Sequence, residues 1–297
     1  MKDSDHLCGG TKRYTDFDAP KEIVSEAQTY FYASTSLKGV VSLSGSEENP
    51  VTFLSAFASP VKRGTLIAFS VLRGYSYGNT QKAKTIAVLK DDLMKPLALL
   101  TKTLGLAKRN GRFSTTYGLP ENFGGSVDIR YESGETIGFA DNQSPILSPM
   151  EVNAITAFFE DALKGEKADV PDFSEVTAIA FTEKRNDGGF TDAKLMRKPD
   201  GSFRLMTRAK YGDPTIYESE KDLGSESADK IRTAFEVSKI AAWEGLPKQK
   251  SALSLSEKAL AFELKNGETI VIPDGLLLPP DFPQGFFPIE LEMTVAN

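Results

Sequence analysis

The chain holds one histidine, one cysteine and one tryptophan in 297 residues. The only histidine, His6, stands in the opening stretch "MKDSDHLCGG". That scarcity removes Ser-His-Asp and Cys-His nucleophiles, His-rich zinc sites and most histidine general-base mechanisms, unless His6 folds back. The lone thiol, Cys8, has no internal partner for a disulfide. His6 and Cys8 together supply two metal ligands, which do not close a tetrahedral site, so neither a metal nor a cofactor is expected. Asp5, His6 and Leu7 lack the small residues that lipid attachment at Cys8 prefers. No stretch approaches the ~20 apolar residues of a spanning helix, so no membrane span is expected. An apolar signal core is missing from the first residues, so the chain as written reads as cytoplasmic, with export following if an upstream signal was removed. Basic excess is missing too: 35 Lys and Arg face 41 Asp and Glu, the formal charge is -6 and the pI is near 5.1. Nucleic acid is therefore not an expected partner, and "AKRNGR" at 107–112 reads as a polar loop after a helix. No G-x-G-x-x-G after a strand, Walker sequence or G-x-S-x-G elbow occurs.

What the chain does contain is one phrase written twice. Residues 133–141 read "SGETIGFAD", and 133 positions later residues 266–274 read "NGETIVIPD". Ahead of the first copy, Val127, Ile129 and Tyr131 alternate with Asp128 and Arg130. Ahead of the second, Leu260, Phe262 and Leu264 alternate with Ala261, Glu263 and Lys265. Both are period-two patterns of strands with one dry face. Asn266-Gly267 is a strong hairpin signal and Ser133-Gly134 a weaker one, so each phrase predicts a turn and its return strand. Asp141 and Asp274 close the two copies. Two equivalent ligand or cation sites would use them, but an aspartate at such a place more simply bonds its own turn backbone.

A helix precedes each hairpin. Leu93, Leu97, Leu100 and Leu104 form an apolar stripe, and Pro96 places the helix start near residue 95. In the second copy Ile231, Phe235, Ser238 and Ala241 trace the edge, with Leu97, Leu100 and Leu106 matching Ile231, Ala234 and Ile240 at an offset of 134. A "GLP" follows each helix, at 118–120 and 245–247. Upstream strand candidates are 51–57, 65–72 and 84–89 in the first copy, and 176–182, 192–198 and 202–210 in the second. Each unit thus reads as three meandering strands, a helix and a hairpin, with the helix over one face of the sheet.

The expected fold class is α+β: two related units, each a mostly antiparallel sheet of about five strands covered by one amphipathic helix, with an extra helix between them. The boundaries are a flexible leader over 1–22, a first unit over 23–147, a connecting helix and linker over 148–172, and a second unit with an irregular tail over 173–297. The connecting helix is well marked by Ser148 as N-cap, Pro149 at the first position and Glu151 closing a capping box. Five prolines in the tail predict an irregular wrapping segment whose Leu276–Leu278, Phe282, Phe286 and Phe287 pack against the sheet.

Candidate chemistry is sparse. Glu160 with Asp161, Asp91 with Asp92, and Glu218 with Glu220 are neighbouring acids, but they sit at helix ends or turns where capping and solvated roles are usual. Tyr30 and Tyr32 share a strand face, as Tyr75 and Tyr77 would; stacked tyrosines bind sugars or peptides, and more often fill sheets. Trp243 reads as a hydrophobic plug beside its turn. No catalytic, cofactor-binding or metal-binding residue is expected.

"DAPKEIVSEAQTYFYAS", the helix running into "IAAWEGLP", and "AFELKNGETIVIP" resemble a broad group of uncharacterised bacterial proteins, many of them secreted or lipid-anchored in Gram-positive gut bacteria. The resemblance is closest over 173–275 and looser over 24–141. It implies the α+β fold in tandem and carries no catalytic residue with it. The function expected is a non-enzymatic binding or structural scaffold whose ligand is a peptide, a protein or a glycan. The rivals are a carboxylate-based hydrolase of a glycan or cell-wall polymer, and a homo-oligomeric module using the C-terminal tail.

Overall fold

The computed structural model describes residues 10–37, 51–73, 84–117, 124–249 and 256–294. His6, Cys8, Tyr75, Tyr77 and the first "GLP" lie outside the described residues. Two compact units divide the chain, Met1–Pro60 with Gly64–Ala168, and Val61–Arg63 with Asp169–Asn297. The fold is α+β, with two mostly antiparallel sheets.

The first unit runs β1 (Thr11–Thr15), β2 (Gln28–Ser36), β3 (Val51–Val61), β4 (Gly64–Arg73), β5 (Thr85–Leu89), α1 (Met94–Thr103), a 3-10 turn (Leu106–Arg109), β6 (Arg112–Thr116), β7 (Gly125–Tyr131), β8 (Thr136–Asp141) and α2 (Pro149–Ala162). Its eight strands lie in the order β1-β6-β8-β7-β2-β3-β4-β5. Phe31, Leu54, Ile67, Ile129 and Ile137 on the sheet share one core with Leu97 of α1 and Val152, Ile155 and Phe159 of α2. The Phe69 and Phe159 rings stack at 5.5 Å. Each such buried side chain contributes about 1.5–3 kcal/mol.

Several expected boundaries move. The 1–22 leader is not all leader, because Thr11–Thr15 pairs with β6 as an edge strand. The 148–172 connector contributes its helix to the first unit, because Val152, Ile155 and Phe159 bury into that unit's core. Its capping box forms as predicted, with Ser148 Oγ accepting from Glu151 N and Glu151 Oε2 accepting from Ser148 N at 2.7 Å. The sheet is not dry on one face alone. Tyr30, Phe31, Tyr32 and Ala33 are consecutive and all buried, so both faces of β2 are covered.

The second unit runs β9 (Val176–Arg185), β10 (Phe190–Arg197), β11 (Phe203–Lys210), β12 (Tyr217–Leu223), α3 (Ser225–Ser238), a 3-10 turn (Ile240–Ala242), β13 (Ser256–Leu264), β14 (Thr269–Pro273) and α4 (Phe286–Thr294). Its strand order is β12-β11-β10-β9-β13-β14. Against about five strands expected per unit, the described residues form sheets of eight and six; the strand without a sequence signal here is β12, "YESEKDL", a charged edge with no apolar alternation to reveal it. The tail is not wholly irregular either, since α4 forms and buries Ile289 and Met293. Among the described residues α2 is the expected extra helix, and α4 is the one helix beyond those expected.

The two sheets share an order. Read from its hairpin, the first is β8-β7-β2-β3-β4-β5 and the second β14-β13-β9-β10-β11-β12. The likeness reaches single hydrogen bonds. Ile129 faces Ile137 in one hairpin, and Phe262 faces Ile270 in the other. Both hairpins turn on a left-handed glycine, Gly134 at φ 86° and Gly267 at φ 84°. The pairing of β2 with β7 skips Thr29, and that of β9 with β13 skips Thr177. Each skipped threonine hydroxyl donates across the bulge, Thr29 to Arg130 O at 3.2 Å and Thr177 to Glu263 O at 3.0 Å. Glu132 N then donates to Ala27 O, and Lys265 N to Glu175 O, both at 2.9 Å. At the helix ends Gly105 and Lys239 are both left-handed, and a 3-10 turn follows each.

Candidate functional site

Of the paired acids, Glu218 and Glu220 stand on the edge strand β12, not at a turn or helix end, and line an open groove of about 620 Å³ with Asp192, Lys194 and Arg208. Glu160 pairs with Arg73 at 2.9 Å, Asp161 with Lys164 at 3.2 Å, Glu218 with Arg208 at 3.4 Å and Glu220 with Arg204 at 3.0 Å. Asp92 Oδ1 accepts from Met94 N at 2.9 Å, inside the first turn of α1. Asp141 Oδ1 accepts from Gln143 N and Ser144 N at 2.7 and 2.8 Å, and Asp274 Oδ1 from Gly275 N at 2.7 Å. Both aspartates therefore hold their own turns. Among the described residues no group of three or more metal-ligating side chains converges. Among the described residues the carboxyls whose pKa is displaced lie below their ordinary value: Glu135, Asp172, Glu183, Asp200 and Asp222.

Aromatic candidates are packed. Tyr30 is buried and meets Phe57 edge-on at 5.5 Å. Trp243 donates from Nε1 to Ser238 O at 3.0 Å and meets Phe282 of the tail edge-on at 5.8 Å.

A larger and less open groove is in the first unit. A groove of about 780 Å³ lies along α1, with residues 21–26 as its opposite wall. Its volume falls within the range of small-molecule sites. The floor is Ala98, Thr101, Ala107, Tyr131 and Ile137. Val24 and Leu99 stand at the mouth, 89% and 66% exposed, where side chains of that type gain from an apolar cover.

The wall at 21–26 has no regular secondary structure, and two polar side chains fasten it. Asn110 is buried; its amide donates to Pro20 O at 2.9 Å and Thr136 O at 2.7 Å, while its carbonyl accepts from Gly138 N at 2.7 Å. Lys21 Nζ donates to the Asn110 backbone carbonyl. At the other end Glu135 accepts from Val24 N at 3.1 Å and Ser25 N at 3.0 Å. The Val24 bond, then those from Ser133 and Ser25, hold the Glu135 carboxyl below the usual range. Glu135 belongs to the first GETI phrase, where no local pattern signals that its carboxylate clasps a segment 110 residues away.

Two hydroxyls sit at the floor. Burial, assisted by the Glu135 charge, pushes the Tyr131 phenol up to about 12, so it stays neutral across the physiological range. Thr101 is 2% exposed, and its Oγ1 makes no hydrogen bond of ordinary geometry, although it lies near enough to Tyr131 to offset part of that rise. The floor thus carries unused hydrogen-bonding capacity and no charge.

The shared bond pattern says what occupies these positions in the second unit. Thr101 corresponds to Phe235, four residues before the left-handed helix end in each case. Tyr131 corresponds to Leu264 beside the threonine bulge. Ser25, two residues ahead of Ala27, corresponds to Phe173, two ahead of Glu175. Phe173 and Phe235 are both buried with rings 5.5 Å apart, and Phe235 meets Phe262 at 5.1 Å. Where the second unit packs three apolar side chains, the first has two hydroxyls and a tyrosine edge.

No protein-family model matches the chain, and no curated protein is significantly similar to it.

Proposed function

We propose that the chain is an internally duplicated, non-enzymatic binding protein, and that the groove along α1 takes a small, largely apolar ligand. Duplication is supported by the common strand order, the matched threonine bulges and the matched left-handed helix ends. A single observation carries the binding reading: Ser25 and Thr101 leave open what the rings of Phe173 and Phe235 occupy in the second unit. The fold does not require a space of this size, since in the second unit Phe235 is buried and the pocket left beside Phe173, Asp229 and Arg232 is about 340 Å³. Asn110 and Glu135 hold the wall in place before any ligand arrives, which lowers the entropy that binding must overcome. A hydrolase using paired carboxylates needs an acid with a raised pKa, and the displaced carboxyls described above all move the other way. The likeness to exported bacterial proteins is kept as part of this proposal, with a peptide side chain, an apolar metabolite or an acyl chain as the ligand's apolar part.

Titration with the uncharged fluorophore N-phenyl-1-naphthylamine tests the site. Saturable fluorescence enhancement is expected for the full chain and its loss for Thr101→Phe, which copies the filled unit, with the far-UV circular dichroism of the two proteins unchanged. Absence of saturable binding, or its survival in a folded Thr101→Phe protein, would overturn the assignment.

A further inference from the structure

We infer that the ligand of this groove is an anionic amphiphile, an acyl chain or comparable apolar body ending in a carboxylate, whose charged end lies at the α1 rim. The inference rests on the binding reading above and adds the ligand's charge.

Lys95, Leu99 and Lys102 lie on one face of α1, and all three line the groove and are exposed. Seven residues of helix set the two lysines about 10 Å apart along the axis. Lys108, on the 3-10 turn, lines the same side and is exposed as well. Among the described residues none of these three ammonium groups has an acidic partner, although the same unit pairs Arg73, Arg109 and Arg130 with carboxylates. The opposite wall brings Glu22, Glu26 and Lys21, whose ammonium is engaged by Asn110, so four lysines and two glutamates line the groove in all.

The second unit shows that this charge is not a demand of the fold. Positions matching Lys95, Lys102 and Lys108 are Asp229, Glu236 and Ala242, counted from the shared helix end. The cations thus coincide with the larger groove, and acids or alanine with the unit whose matching pocket, beside Asp229 and Arg232, is about 340 Å³. The interior places the charge further. Its floor offers neutral hydroxyls, and Glu135 stands close enough to Tyr131 to raise the phenol pKa, so a carboxylate at the floor would meet repulsion and no cation. At the rim it meets exposed lysines while its apolar body covers Leu99, Val24 and Ala98. An uncharged or cationic amphiphile would bury the same apolar surface without that attraction. A folded acidic protein is disfavoured by the volume of the space, which suits a drug-sized molecule.

The test displaces bound N-phenyl-1-naphthylamine from the full chain with laurate, dodecanol or dodecylammonium, each kept below its micellar or solubility limit. Laurate is expected to displace at about tenfold lower concentration than dodecanol, equivalent to about 1.4 kcal/mol, with dodecylammonium weakest. The preference should shrink in 0.5 M salt, because exposed lysines are screened. In the double variant Lys95→Glu, Lys102→Glu, fluorophore binding should persist while the laurate preference vanishes or reverses. Equal displacement by all three amphiphiles, or an unchanged preference in the double variant, overturns this inference and leaves the groove standing. A fluorophore that fails to bind, or that Thr101→Phe fails to exclude, overturns the groove and this inference with it.

Discussion

The two units share a six-strand order and differ in the side chains beneath their first helices. Strand order, hairpin register, threonine bulge and left-handed helix end all match. One position shows how far backbone geometry outranks residue preference. Gly105 adopts φ 61° at the end of α1, and its counterpart Lys239 adopts φ 53° although a Cβ is disfavoured there. The units part company under the helix, where Phe173 and Phe235 narrow the second to a pocket of about 340 Å³ and Ser25 and Thr101 leave the first a groove of about 780 Å³. Architecture is thus set by a few backbone-directed contacts, while cavity and charge depend on side chains that those contacts leave free to vary.

The sharpest way to break the comparison is to hollow the filled unit. Phe235 is 1% exposed and touches both Phe173 and Phe262. Phe235→Ala is expected to cost about 3–5 kcal/mol through lost transfer energy and the cavity left behind. Trp243, the only tryptophan, is buried in that unit, so denaturant titration followed by its fluorescence reports the loss where it occurs. A cost below about 1 kcal/mol would mean that this ring cluster does not hold the second unit closed.

A smaller effect tests the equivalence itself. Thr29→Val and Thr177→Val each remove one bulge-spanning hydroxyl at nearly constant volume. Each is expected to cost about 1 kcal/mol, the net worth of one hydrogen bond. Amide exchange in the hairpin beside each bulge, β7–β8 for the first variant and β13–β14 for the second, should accelerate by similar factors. A large effect in one hairpin and none in the other would break the correspondence used to align the units.

Much of the architecture was legible in sequence, and the unread parts have physical reasons. The GETI hairpins, the apolar stripe of α1 and the capping box of α2 announced themselves by periodicity and turn chemistry. β1 and β12 did not, because exposed edge strands carry polar residues on both faces. The groove was illegible for a different reason. It exists where bulky residues are missing, and the hydroxyls of Thr101 and Ser25 have meaning only beside Phe235 and Phe173. Glu135 stands in a turn that periodicity predicts, yet its clasp on Val24 and Ser25 depends on a tertiary approach that no local pattern encodes.

The finest distinction between the units is titratable. Tyr131 ends β7 where Leu264 ends β13, and its phenol is raised to about 12 by burial and by Glu135. A free tyrosine ionises near pH 10. Between about pH 10 and 12 the unfolded chain therefore loses this proton while the folded chain keeps it. The folded state binds more protons over that window, so the stability Tyr131 contributes is intact below pH 10 and declines as the pH rises through the window. Leu264 cannot take part in any such change. Tyr131→Phe should accordingly be nearly neutral at pH 7, since the Thr101 hydroxyl offers the phenol no well-formed hydrogen bond. It should lose less stability than the parent between pH 10 and 12. Subtracting the two stability curves removes the common titration of the lysines and leaves the tyrosine alone. Parallel curves across that window would show that the Tyr131 phenol is solvated in the folded protein, and that the groove floor is wetter than its buried side chains imply.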